Sequence, residues 1–352
     1  MAKPRSAVAV AAALSSAASA GVRLACAVRV MDKVAESIVP PTRSLGQAAV
    51  AAHLRPRFAM PVTRRAALAG EETNAEMWED MTAGGLIGDL EASSSMALSK
   101  FFDPQALNTK DVGEKGTPAF RRFLWDETIG WVSPVHDVPL HVNAAETAER
   151  WMITEIPKHT KAKFGVALGE PWNPLAPAMD SDGRFVEYPS PLKWNYGFLP
   201  QTWEDPKLLQ VALDLAGDND PVDVIELSSA PHKYGEATRI KILGALPLID
   251  KGIADWKIIA VSMEDALSQK VDSVVDLERE APGMVDEIKE WITANKEDVS
   301  FGLDGAVLGV DAALEIIDAA HVAWGSLHSG HADSSLWGHM SDAIESELPG
   351  HS

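Results

Sequence analysis

Gly217-Asp218-Asn219-Asp220-Pro221-Val222-Asp223-Val224-Ile225-Glu226-Leu227 places three aspartates within six residues and runs straight into an apolar segment. Carboxylates at D-x-D-x-x-D spacing repel one another, and a folded chain holds them together most readily around a cation. Hard oxygen ligands suit Mg²⁺, Mn²⁺ or Ca²⁺ rather than a thiolate-bound metal. The plain alternative is an acidic turn in solvent. A second acidic pair, Asp250 and Asp255, carries Lys251 and Lys257 beside it and enters another strand-like run. Two such clusters favour the cation. An EF-hand does not fit, because its sixth position would be Asp223 instead of glycine and its twelfth Ser229 instead of glutamate.

Outward from this stretch the pattern is mostly that of short strands. Phe120 to Trp125 and Ile129 to Val132 are aromatic and β-branched runs separated by Asp126-Glu127, and they predict a strand pair. Trp151 to Ile156 predicts a strand ending at Pro157, and Arg184 to Val186 a further short one. Thr238 to Leu243 alternates with period two, and Lys257 to Val261 is a further strand. After Glu280 the period changes. Val285, Ile288, Trp291 and Ile292 share one helical face, and Val310, Ala313, Leu314, Ile317, Ala320 and Trp324 form a second stripe. Strands first and helices last predict an α+β domain with a closed or partly closed antiparallel barrel. The tail from Gly325 onward, with His328, His331, His339 and His351, lacks metal-ligand spacing and is expected to be exposed.

Charge separates the chain into two parts. Residues 1–70 hold ten Lys and Arg against two Asp and Glu. Taking these from totals of 31 and 51 leaves 21 basic and 49 acidic residues in 71–352, a net of −28. So acidic a body argues against nucleic acid and against an anionic membrane surface as partners. Lys3 and Arg5, the apolar run from Ala7 to Leu14 and the Ala18-Ser19-Ala20 cleavage pattern read as a signal-like segment. Ser37 to Gly70 lacks acids and carries five arginines, which is transit-peptide composition. Together they predict a bipartite leader over 1–70 and delivery to a plastid (chloroplast), with a mitochondrion as the alternative. Arg64-Arg65 lacks the apolar run of a twin-arginine signal. Residues 71–104 are an extension without a structural signature. The lone cysteine, Cys26, lies in the leader, so residues 71–352 contain no disulfide, cysteine nucleophile or cysteine-based zinc site.

In the acidic body the clustered carboxylates stand beside a set of cations, Lys163, Arg184 and Lys257, with Lys193 and Lys296 as further candidates, and Tyr196 adds a hydroxyl. A site that joins a metal cluster to cations suits a phosphoanhydride. No Walker A or glycine-rich nucleotide loop is visible, which favours a compact phosphate over a nucleotide. The stretch Gly217 to Leu227 resembles the signature of soluble family I inorganic pyrophosphatases. So, in order, do Ser133 to Leu140, Thr154-Glu155-Ile156-Pro157, Trp194-Asn195-Tyr196-Gly197, Pro200-Gln201-Thr202-Trp203-Glu204-Asp205-Pro206 and Asp250 to Lys257, all in the manner of the eukaryotic branch.

The resemblance spans about residues 105–325, and what it implies is specific. The fold would be a five-stranded OB-like β-barrel with extra strands and C-terminal helices. The reaction would be Mg²⁺-dependent hydrolysis of pyrophosphate, and the assembly a homodimer. Asp218, Asp223, Asp250 and Asp255 would hold metal, and Asp220 would be the general base acting on water. Lys163, Arg184, Tyr196 and Lys257 would bind phosphate, with Glu155 at the rim of the metal cluster. Three positions depart from the family: Gly165 replaces a metal-binding glutamate, Leu192 a phosphate-contacting tyrosine, and Asn295 the tyrosine of a Tyr-Lys pair whose lysine, Lys296, remains. Two classes of function follow. One is an enzyme with weakened metal and phosphate binding; the other is a non-catalytic structural or regulatory subunit docked through 71–104.

Overall fold

The computed structural model describes residues 38–39, 103–143, 147–210 and 212–329. The rest of the expected leader, residues 71–102 of the extension and the tail beyond 329 lie outside the described residues.

The first elements form a small sheet. β2 (Asn108–Val112) pairs with β3 (Arg121–Asp126), and β3 with β4 (Gly130–Val132), as the two aromatic runs predict. β5 (Glu149–Ile156) belongs to the main sheet, while β6 (Phe164–Val166) and β7 (Leu175–Pro177) complete the small one. The predicted strand at Arg184–Val186 does not form; Phe185 makes only an isolated bridge to Met179. Asp180 Oδ1 accepts from the backbone N–H groups of Asp182 and Arg184, which folds 180–184 into a tight turn and leaves no room for a ladder.

The main sheet adds β8 (Asn195–Phe198), β11 (Asp223–Glu226), β12 (Ala237–Asp250) and β13 (Ile253–Ser262); the short β9 (Leu209–Gln210) and β10 (Leu215–Ala216) pair with each other. β12 turns into β13 through Lys251-Gly252, both with positive φ (51° and 82°), as a two-residue hairpin turn matched to strand twist requires. β12 pairs with β13 along its length and with β5 through residues 237–241. The pairings therefore run in a circuit, β12-β13-β11-β8-β5 and back to β12. The expected antiparallel pattern has one exception. β11 and β13 are parallel, because β12 lies between them in sequence and pairs antiparallel with β13.

Helices follow the strands: α1 (Val274–Glu280), α2 (Met284–Asn295) and, after β14 (Val299–Phe301) and β15 (Val307–Leu308), α3 (Val310–His328). α2 buries Val285, Ile288 and Ile292, and α3 buries Ala313, Ile317 and Ala320, so both predicted stripes are core contacts. α3 outlasts the predicted boundary. Leu327 is buried, correcting the exposed tail at that residue; His328 is exposed, as expected, with its ring stacked on Trp324. A two-residue strand from the expected leader, β1 (Ile38–Val39), pairs antiparallel with β15 at the sheet edge.

Alternation along β13 gives the sheet two faces. Trp256, Ile258 and Ala260 enter one apolar core beneath α3; Ile259 and Val261 enter another beneath α1 and α2. Asp255 and Lys257 are on the second face, at the end of the strand where the apolar packing stops.

Candidate active site

Parallel pairing puts Asp223 of β11 opposite Lys257 of β13. Lys257 Nζ contacts both Asp223 Oδ2 and Asp255 Oδ1, and Tyr196 of β8 donates its hydroxyl to Asp223 Oδ2. Lys296, just past α2, reaches Asp250 Oδ2 at 2.8 Å and Asp255 Oδ2 at 3.2 Å. Burial works against the charge of Lys257, but the carboxylates of Asp223, Asp255 and Asp218 outweigh it and hold its pKa well above the ordinary lysine value. For Asp255 burial is likewise the largest influence. Lys257 and Lys296 overcome it and keep the carboxyl below its usual range.

Glycines allow the strands and loops to close on this site. A Cβ on Gly197 would lie 1.9 Å from Ile153 O, so the glycine of the Asn-Tyr-Gly run permits β8 to press against β5. Register between those strands shifts between Thr154 and Ile156, which leaves Glu155 as the extra residue of a bulge. Bulges re-aim side chains. Here Glu155 is buried, accepts Val166 N–H at 2.8 Å and faces Asp223, Asp220 and Lys163. Burial, then the charge of Asp223, pushes its carboxyl up to about 8.

The loop before β11 carries the remaining aspartates. Asn219 takes positive φ (74°), a conformation asparagine tolerates, and Asp218 Oδ1 accepts the Asp220 N–H at 2.9 Å. Burial and the charges of Asp255, Asp220 and Asp223 raise Asp218 to about 8. Asp220 keeps an open side to solvent, yet the protein packed round it, with Asp223 and Asp255, raises it to about 6. Asp218 and Asp255 bring their ligand oxygens, with one from Glu204, within 4.8 Å of one another. Three carboxylate oxygens so close together suit a hard divalent cation.

The cluster thus joins Asp218, Asp220, Asp223, Asp255, Glu155, Lys257 and Tyr196, with Asp250 tied in through Lys296. Lys163 lies close enough for its charge to act on Glu155 and Asp220. Arg184 stands apart. Its side chain is 72% exposed and pairs with Asp180 and Asp182 inside its own turn. Lys193 is also outside, paired with Glu287.

Two residues had no assigned role in the sequence. Glu204 was legible only as part of a motif. Tyr188, four residues past Arg184, is buried against Trp291 and lines a cavity of about 20 Å³ with Tyr196, Lys257 and Lys296. Burial and then the charge of Asp223 raise its pKa. Leu192, where the resemblance expects a tyrosine, packs on Tyr188 and Ile156. Asn295 Oδ1 accepts both Ser190 N–H and Ser190 Oγ–H at 2.9 Å, fastening the 188–192 segment to α2.

The family model described as inorganic pyrophosphatase matches residues 152–325, which hold every cluster residue. A soluble inorganic pyrophosphatase from Arabidopsis thaliana, named as chloroplastic, is 36% identical over 251 residues, covering 70% of this chain and 82% of the relative. An inorganic pyrophosphatase from Drosophila melanogaster is 36% identical over 238 residues, covering 65% and 70%. The crystal structure of a type I inorganic pyrophosphatase from Toxoplasma gondii superposes with a TM-score of 0.60 at 35% identity, covering 63% of this chain and all of that one. Likeness of this extent reaches through the sheet, the loops and the acidic cluster alike, and on it the chain belongs to the soluble inorganic pyrophosphatase family.

Proposed function

We propose that the protein hydrolyses pyrophosphate to two phosphates with Mg²⁺ as its cation. The observation that carries this reading is the acidic cluster itself: Asp218, Asp220, Asp223 and Glu155 raised by burial and mutual repulsion, beside Asp255, which is not, and bordered by lysines and a tyrosine. Asp218, Asp223, Asp250 and Asp255 would hold the cations, which supply Lewis acidity toward water and the phosphoryl oxygens when bound. Asp220, partly open and raised to about 6, is poised to take a proton from water near neutral pH. Lys257, Tyr196 and Lys163 would bind and neutralise the phosphates, and the buried Glu155 would orient the rim. Arg184 would join them by leaving Asp180 and Asp182 when substrate arrives.

The circuit of five strands supports an OB-like barrel spanning a catalytic domain of about residues 105–325. The composition of residues 1–70 and a chloroplastic relative support plastid delivery. The homodimer expectation remains part of the proposal; no described helix is long and apolar enough to cross a membrane. Phosphate release from pyrophosphate by the full chain, titrated with Mg²⁺, tests the reading. Turnover should appear only with the cation; none above background at saturating Mg²⁺ overturns the enzyme in favour of the non-catalytic subunit.

A further inference from the structure

Glu204 is fixed by its backbone before its side chain does anything. Its N–H donates to Asp220 O at 2.9 Å, and its carbonyl accepts from Asn219 N–H at 2.9 Å. A Cβ on Gly217 would fall 2.4 Å from that carbonyl, so the aspartate loop can lie this close only with glycine there. The indole of Trp203 adds a hydrogen bond of 3.0 Å to Asn219 Oδ1. Pinned in this way, the Glu204 side chain has one course, under the loop and toward Asp218 and Asp255.

There it is 1% exposed. Oε1 accepts one long hydrogen bond, 3.4 Å from Trp256 N, and Oε2 has no partner among the described residues. The neighbours that matter are carboxylates, with ligand atoms from Asp218, Asp255 and Glu204 all within 4.8 Å. A buried carboxyl with a bare oxygen beside two others is costly unless a positive charge enters among them. The charge of Lys257 reaches Glu204 without an ion pair, and burial with the charges of Asp218 and Asp255 outweighs it.

We infer that Glu204 is itself a cation ligand, closing with Asp218 and Asp255 a buried three-carboxylate seat for a hard divalent ion. This rests on the metal-dependent reading above and adds to it a residue that the resemblance leaves without a role. Three carboxylates would hold that ion with more charge and less exchange than the open, partly solvated position beside Asp220. Glu204 would thus set the tightest binding step.

The test is Mn²⁺ binding by the full-length protein without substrate, read from the free-ion electron paramagnetic resonance signal, with Mn²⁺-dependent melting in parallel. Glu204→Gln keeps shape and removes charge. The tightest Mn²⁺ Kd should rise roughly tenfold to a hundredfold, and the Mn²⁺-induced rise in melting temperature should shrink. Glu204→Asp, retaining charge on a shorter arm, should fall between. Unchanged Mn²⁺ affinity in Glu204→Gln overturns the inference, even with turnover reduced, and leaves the family reading intact. No Mn²⁺ uptake by the unaltered protein overturns both.

Discussion

Strand β11 begins in one carboxylate environment and ends in another. At its start, Asp223 shares the acidic cluster, where one oxygen of Glu204 has no donor and neighbouring carboxylates crowd Asp218. At its end, Glu226 is fully buried and fully occupied. Oε1 accepts from Ser228 N at 2.9 Å, Ser262 N at 2.7 Å and the Ser228 hydroxyl; Oε2 accepts from Asn195 Nδ2 at 2.9 Å and lies 3.3 Å from His232 Nε2. Asn195 Oδ1 accepts in turn from Lys158 N and His232 N, closing the network. Burial is common to both ends. The shortage of donors marks the first as a place for a cation, and their abundance marks the second as structural.

The same amide substitution at each end should separate the two. Asp220→Asn should lower turnover about 10²- to 10⁴-fold, the usual range for a lost general base. It should leave melting in the absence of metal unchanged or higher, since it removes repulsion. Glu226→Gln points an amide donor at backbone and side-chain donors. It should destabilise the fold by about 2–4 kcal/mol, read by chemical denaturation, with residual activity in proportion to folded protein. If Glu226→Gln abolishes turnover at full stability, the division between the two ends fails.

pH tests the acidic end next. Asp218 and Glu155 stand at about 8 when folded, against ordinary values of 3.8 and 4.5. Between those limits the folded protein alone holds the protons. The stability they provide is complete below the ordinary values and is lost as pH climbs through about 8. Metal-free protein should therefore melt progressively lower from pH 5 to 9. Mg²⁺ should restore more at high pH, because binding displaces protons that are then already gone. Scanning calorimetry across this range checks both slopes. Asp218→Asn should flatten the metal-free slope.

How far these features were legible depends on the range of the contacts behind them. Helices α2 and α3 and strand β13 follow from periodicity, because each buries one regular face. β12 is legible only as Thr238 to Leu243. Its second half contains Gly244 and Pro247, which read as breakers, and long-range pairing with β13, β14 and β15 carries it through. The clustered aspartates announce themselves by local spacing. Glu204 does not, since Trp-Glu-Asp-Pro looks like an exposed turn until Gly217 is folded against it. Arg184 differs again: Asp180 and Asp182, near in sequence, hold it in its own turn. Tyr188 is hidden because the resemblance expects the phosphate-contacting tyrosine at 192, where the chain has Leu192.

Tyr188 gives a smaller test. Its hydroxyl borders a cavity large enough for a water, beside Lys257 and Lys296. Tyr188→Phe retains the ring packed on Trp291 at 5.1 Å. Stability should hardly move, while KM for pyrophosphate rises roughly fivefold, the equivalent of one neutral hydrogen bond of about 1 kcal/mol. An unchanged KM would make this tyrosine a packing residue.

The smallest effect should be a gain. Gly165, on β6, occupies the position where the resemblance expects a metal-binding glutamate. A Cβ there meets only Glu155 Oε1, at 3.7 Å, so a side chain fits without displacing backbone. Gly165→Glu would put a second carboxylate beside one already raised to about 8. Without metal the pair must share a proton, and the melting temperature at high pH should drop slightly further. With limiting Mg²⁺ the added ligand should raise turnover a few-fold, and at saturating Mg²⁺ the gain should vanish, because affinity and not chemistry is what the glycine gave up. A loss of turnover at every Mg²⁺ concentration would mean the opposite: that the cluster is balanced for the carboxylates it has, and that the bare Glu204 oxygen, rather than the missing side chain at 165, is where its cation affinity is set.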